Sequence, residues 1–148
     1  MNDPSFGLSR QSLIDILEKH AMTSGGLAIG SDTTKVKTAS ATYYFISGKL
    51  YVLAATDDLI APSGVITDGY YNVFVLTVNA AGTAAIAMGT EAVALEDVVF
   101  PATPAASAVV GFVIVRTVGS DFTGGTTALT GGDVTVVYVN ATAPMRFA

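Results

Sequence analysis

The stretch YYNVFVLTVN, residues 70–79, decides the fold class. Read as a strand, its side chains alternate between two faces. Tyr70, Asn72, Phe74, Leu76 and Val78 share one face; Tyr71, Val73, Val75, Thr77 and Asn79 share the other. Both faces are mostly apolar. Antiparallel sheets ordinarily keep one face wet, so this strand asks for cover on both sides. VVGFVIVRTV (109–118) and VTVVYVNA (134–141) repeat the pattern: Val113 and Val115 oppose Phe112 and Ile114, and Val136 and Tyr138 oppose Val137 and Val139.

Outward from these strands, the chain from Val36 onward reads as a succession of short strands and turns. KVKTA opens the series. TYYFIS (42–47) and KLYVLAA (49–55) flank Ser47-Gly48, a tight hairpin turn. Asp57-Asp58 and Pro62-Ser63-Gly64 mark a longer loop. TAAIAM (83–88) returns from the Ala80-Ala81-Gly82 turn; residues 89–108 are irregular, and SDFTGGTTALTGGD (120–133) is a Gly/Thr loop. Six to eight short strands at such intervals predict a mainly β protein, an antiparallel β-sandwich or barrel-like domain.

Before these strands, residues 1–8 read as an arm, and a short N-terminal α-helix is predicted after them. Ser9 is the N-cap, or Ser12 with Asp15 as a capping box. Leu13, Ile16, Leu17 and His20 or Ala21 form one stripe at helical spacing. Ser24-Gly25-Gly26 ends it, and SGGLAIGSDTT (24–34) reads as a linker. Two parts result: residues 1–30, an anchor and linker, and residues 36–148, the β domain.

With 148 residues, one domain is expected. There is no Cys, which excludes disulfides, thiolate metal sites and Cys nucleophiles. The formal charge of -5 argues against nucleic acid as a partner, since phosphate binding needs clustered Lys and Arg. Charged residues make up 13%, against about 25% in ordinary soluble domains. Mean hydropathy is +0.56. A membrane or burial against other subunits would account for this. Residues 69–90 are uncharged and long enough to span, but Asn72, Asn79, Gly82 and Gly89 interrupt them, and Pro101 and Pro104 break residues 98–115. No membrane is expected, and MNDPSFGLSR, polar and acidic before Leu8, is not read as a signal peptide. Residues 98–148 hold only four charges, Arg116, Asp121, Asp133 and Arg146. Cover by identical copies in a closed oligomer is the expectation.

Chemistry-bearing residues are sparse, and no enzyme, catalytic residue, cofactor or metal is expected. His20 is the single histidine and has no local Ser/Asp partners. Asp57-Asp58 offers carboxylates to a hard cation, but lacks a calcium-loop pattern. Glu91, Glu96 and Asp97 lack the aromatic cleft of a glycosidase. The runs at 123–125 and 130–132 lack a phosphate-loop Lys and read as flexible surface loops. Asn140-Ala141-Thr142 matches a glycosylation sequon. Tyr43, Tyr44, Tyr51, Tyr70 and Tyr71 could stack on sugars, though strand tyrosines more often close a core or an interface.

The Gly-rich linker, the Thr/Ala/Val/Gly-rich β domain with few charges and no Cys, and the hairpins YYFISGKLYVLAA and YYNVFVLTVNAAGTAAIAMG resemble the small auxiliary virion proteins of tailed bacteriophages: head decoration (cement) proteins, head fibres and short tail-fibre modules. The resemblance implies a homotrimer in the virion, assembled in the host cytoplasm. It also implies attachment to the major capsid protein or another virion protein through the N-terminal segment. A fibre or adhesin module binding a host glycan is the alternative it leaves open.

Overall fold

The computed structural model describes residues 19–142. Its strands are β1 (Lys19–Ala21), β2 (Leu27–Ile29), β3 (Val36–Thr38), β4 (Thr42–Ile46), β5 (Lys49–Leu53), β6 (Thr56–Ile60), β7 (Val65–Ile66), β8 (Tyr71–Asn79), β9 (Ala84–Met88), β10 (Ser107–Thr117), β11 (Phe122–Thr123) and β12 (Val134–Asn140). The fold is mainly β, and its principal sheet is open and curled into a half-barrel. That sheet has seven strands in the order β5-β4-β1-β10-β8-β9, with β12 also on β10. β10 is the spine: β8 runs along one edge, while β1 and β12 share the other, at Val109 and at residues 111–117. Every pairing is antiparallel except β1 with β10. A three-stranded sheet, β2-β3-β6, and the pair β11-β7 complete the core.

The predicted N-terminal helix is not supported. Lys19, His20 and Ala21 form β1 against β4, in register with Ile46, Phe45 and Tyr44. Ala21 is buried while Lys19 is exposed, the alternation of a strand. The rest of that helix, with Ser9, Ser12, Leu13, Ile16 and Leu17, lies outside the described residues. No α-helix occurs among the described residues, where only a 3-10 turn at Leu95–Asp97 is helical. The 24–34 linker contains β2, so residues 19–30 supply strands to the same sheets as residues 36–140. Asp57 and Asp58 lie in β6. The hairpin at Ser47-Gly48 is as expected: both residues have positive φ, 51° and 76°, the primed turn that matches strand twist.

Two apolar clusters fill the concave side. Val36, Ile66, Phe74, Val113, Val115, Phe122 and Leu129 form one; Ala21, Leu27, Tyr44, Ile46, Leu53, Leu76, Val78, Ala108 and Val110 form the other. The inward side chains of β8 and β10 thus feed both. Gly111 follows a register shift in β10, where a Cβ would strike the Leu27 side chain and the Val139 carbonyl.

Strand β8 is covered within its own chain: all residues from Asn72 to Val78 are buried. Val73, Val75 and Thr77, on the convex face, sit between β9 and β10, with the 89–100 segment alongside. The expected cover by other copies is therefore not needed at β8. It becomes relevant one and two strands further out.

Candidate assembly surface

The convex face opens progressively from β8 to β12. Phe112 and Ile114 of β10 are half-buried. Their cross-strand neighbours on β12 are Val139 and Val137, and Val137 is 50% exposed. The apolar run exists because β10 and β12 carry Val, Ile, Phe or Thr at outward positions where a solvated sheet carries Lys or Glu. Arg116 is the charge on this part of the face; its guanidinium lies 5.1 Å from the Tyr71 ring centroid, a cation–π contact.

The segment after β9 adds to the same surface. Gly89 N–H donates to the Val73 carbonyl (2.8 Å) and Tyr71 exchanges backbone bonds with Ala92. Asn72, buried in an apolar strand, fixes the base of the segment: its Nδ2 donates to the Gly89 carbonyl (3.1 Å). Thr90 and Val99 then pair, bringing the chain back. Phe100 packs edge-on against Phe112 with centroids 5.1 Å apart, yet Phe100 stays 55% exposed. Val93, Leu95 and Val99 of the same segment are exposed. A second exposed apolar area lies on the β4–β5 hairpin: Tyr43, Leu50, Tyr51 and Val52 line a shallow depression of about 410 Å³. Its polar side-chain atoms are two tyrosine hydroxyls.

The remaining candidates are spread over the fold. His20 stands opposite Phe45 and Val109 on β1. Glu91 accepts from Thr67 N–H (2.8 Å) and Oγ1 (2.7 Å); Glu96 and Asp97 sit in the 3-10 turn. The 123–129 loop is packed, not free: Gly124 donates to the Gly64 carbonyl (2.8 Å), a Cβ on it would press on Pro62, and Leu129 is buried. Asn140 of the sequon accepts Leu27 N–H on its Oδ1 (2.9 Å). Tyr44 is buried, stacks on Tyr51 at 5.6 Å and donates its hydroxyl to the Asn79 carbonyl (2.9 Å); burial raises its pKa.

Asp57 and Asp58 tie down the β2–β3 turn. Asp57 accepts from Ser31 N–H and Oγ; Asp58 accepts from Asp32 N–H (2.7 Å). Among the described residues no group of three or more His, Cys, Asp or Glu is placed to hold a metal. Hydrogen bonds from Thr34 N–H and Oγ1, then Lys35, lower the Asp32 pKa to about 2. Bonds from Ser31 likewise lower that of Asp57. A carboxylate with a depressed native pKa stabilises above its unfolded value and loses that contribution as pH falls through the native value. Amide exchange at residues 31–35, corrected for intrinsic rate, is therefore expected to accelerate between pH 4 and pH 2 (~10-fold or less for exposed groups), while β8 and β10 stay protected. Uniform protection across that range would refute the turn-clamp role.

No protein family model, no curated protein and no solved structure matches the chain, so the exposed convex face is the guide to function.

Proposed function

We propose that this protein is a structural component of a tailed-phage particle, a homo-oligomer that decorates or cements the capsid. The observation that carries the reading is the convex face: Val137 exposed opposite half-buried Ile114, and Phe100 exposed against half-buried Phe112. Contiguous apolar surface of this kind marks a protein interface. Obligate oligomers bury such faces, and the phage resemblance suggests three chains. The role is mechanical: a β body tied by long-range pairings bridges neighbouring capsid subunits so that the shell resists internal pressure. Residues before Lys19 take the attachment role.

Light scattering coupled to size exclusion tests the assembly. Three chains, or a multiple of three, persisting on dilution is the expected result. A stable single chain overturns it. Attachment is tested by removing residues 1–18, a cut that leaves β1 and β2 intact. Loss of binding to capsids with unchanged oligomer mass is expected; a truncated chain that still binds capsids places the attachment surface on the β body.

A further inference from the structure

Among the described residues, the edge of β12 away from β10 pairs with no second strand. Val118 N–H donates to the Asp133 carbonyl and Ala141 N–H to the Val110 carbonyl. In an antiparallel ladder the bonded pairs alternate, so Thr135, Val137 and Val139 bond β10. The backbone groups of Val134, Val136, Tyr138 and Asn140 therefore point to the opposite edge. Among the described residues no second strand pairs there, and the Val134 N–H, which closes a turn on Gly131, is the one edge group with a partner. Side chains confirm the opening. Val134, Val136 and Tyr138 face the core but keep solvent access, whereas Val113 and Val115, one strand inward, are 0% exposed.

Natural edge strands are protected by Lys, Pro, a bulge or a short length. VTVVYVN has none of these: it is seven residues long, uncharged, without Pro, and paired with β10 in unbroken register. We propose that β12 pairs antiparallel with β12 of a second copy about a two-fold axis at Val137. This register brings the outward-pointing backbone groups together: Val136 faces Tyr138 of the copy and exchanges two bonds with it, while Val134, whose N–H closes the turn on Gly131, faces Asn140 and offers it the carbonyl. On the convex side Val137 meets its own equivalent and Thr135 meets Val139, all β-branched cross-strand pairs. Asp133 falls opposite Ala141 of the copy, so no like charges oppose. The sequence is complementary to itself in this register, which points to a second copy as the occupant. The contact does not depend on the virion reading; on a three-chain body it joins two bodies into six.

The test uses the full chain and two double variants, T135K/V139K and T135E/V139E. Both positions lie on the convex side, and Thr135 is exposed. Each variant alone places like charges opposite each other across the axis. Each is expected to stay folded by circular dichroism and to fall to half the wild-type mass or below, because Val139 also borders the convex face beside Phe112. An equal mixture is expected to regain edge pairing, with isotope-labelled native mass spectrometry finding one chain of each kind per edge pair. A wild-type mass of three chains, or variants that retain wild-type mass, overturns the edge contact and leaves the three-chain reading standing; a wild-type single chain overturns both. Halved mass without rescue on mixing assigns the edge to a different occupant and also overturns it. Val136→Pro gives an independent check: its N–H points to the free edge, where Pro is tolerated, so the fold is expected to survive while pairing is lost.

Discussion

Val113→Glu is expected to abolish folding, while Val137→Glu is expected to yield a folded single chain. The two residues lie on adjacent strands with similar sequence surroundings, but Val113 is 0% exposed and Val137 is 50% exposed. A glutamate at 113 would stand among Val36, Phe74, Val115 and Phe122 in the inner cluster. Burying an unpaired charge there costs several kcal/mol or more, on the scale of the ~5–15 kcal/mol that holds an average domain together. At 137 the carboxylate reaches water in the separated chain, and the penalty falls on assembly alone, because both proposed contacts run through this residue. Circular dichroism and light scattering on the two variants read the difference. An assembled Val137→Glu protein would place the subunit contacts elsewhere.

Phe74→Ala is the second large effect. Phe74 is fully buried and meets Phe122 with ring centroids 6.0 Å apart. It joins the main sheet to the β11-β7 pair, which holds Ile66 and Phe122 in the same cluster. Truncation of such a residue removes apolar burial and leaves a cavity, at ~3–5 kcal/mol. For a chain of this size that corresponds to a fall in Tm of ~10–20 °C. Thermal unfolding followed by circular dichroism measures it; a fall of less than ~3 °C would mean the cluster collapses around the gap.

The strong strands were legible because their residues are strand formers bounded by turn residues. Tyr71–Asn79, Thr42–Ile46, Lys49–Leu53 and Val134–Asn140 fall within a residue or two of expectation. The weak strands were not. Lys19–Ala21 continues a helical spacing in the sequence and becomes a strand because β4 and β10 leave a slot for it. Thr56–Ile60 carries two aspartates, a loop signature, but pairs with β3 while those aspartates cap the neighbouring turn. The sequence shows both faces of 70–79 as apolar, yet part of their cover comes from residues 89–100, whose Pro/Ala-rich continuation gives no hint of a return across the sheet. Asn72 held the one available signal: a lone amide in an apolar strand that anchors Gly89.

The parallel pairing of His20 with Val109 has a consequence for synthesis. Strand β1 emerges from the ribosome early, but its partner β10 follows only after most of the body has been made. At ~5–20 residues per second the interval is on the order of 5–20 s. Throughout it, the β4–β5 hairpin has only β1 for company, and β8 lacks its spine. Long-range closure of this kind slows folding relative to local pairing. The nascent chain thus exposes its stickiest strands for seconds, and a chaperone that shields them until residue 117 clears the tunnel would raise the yield of folded protein.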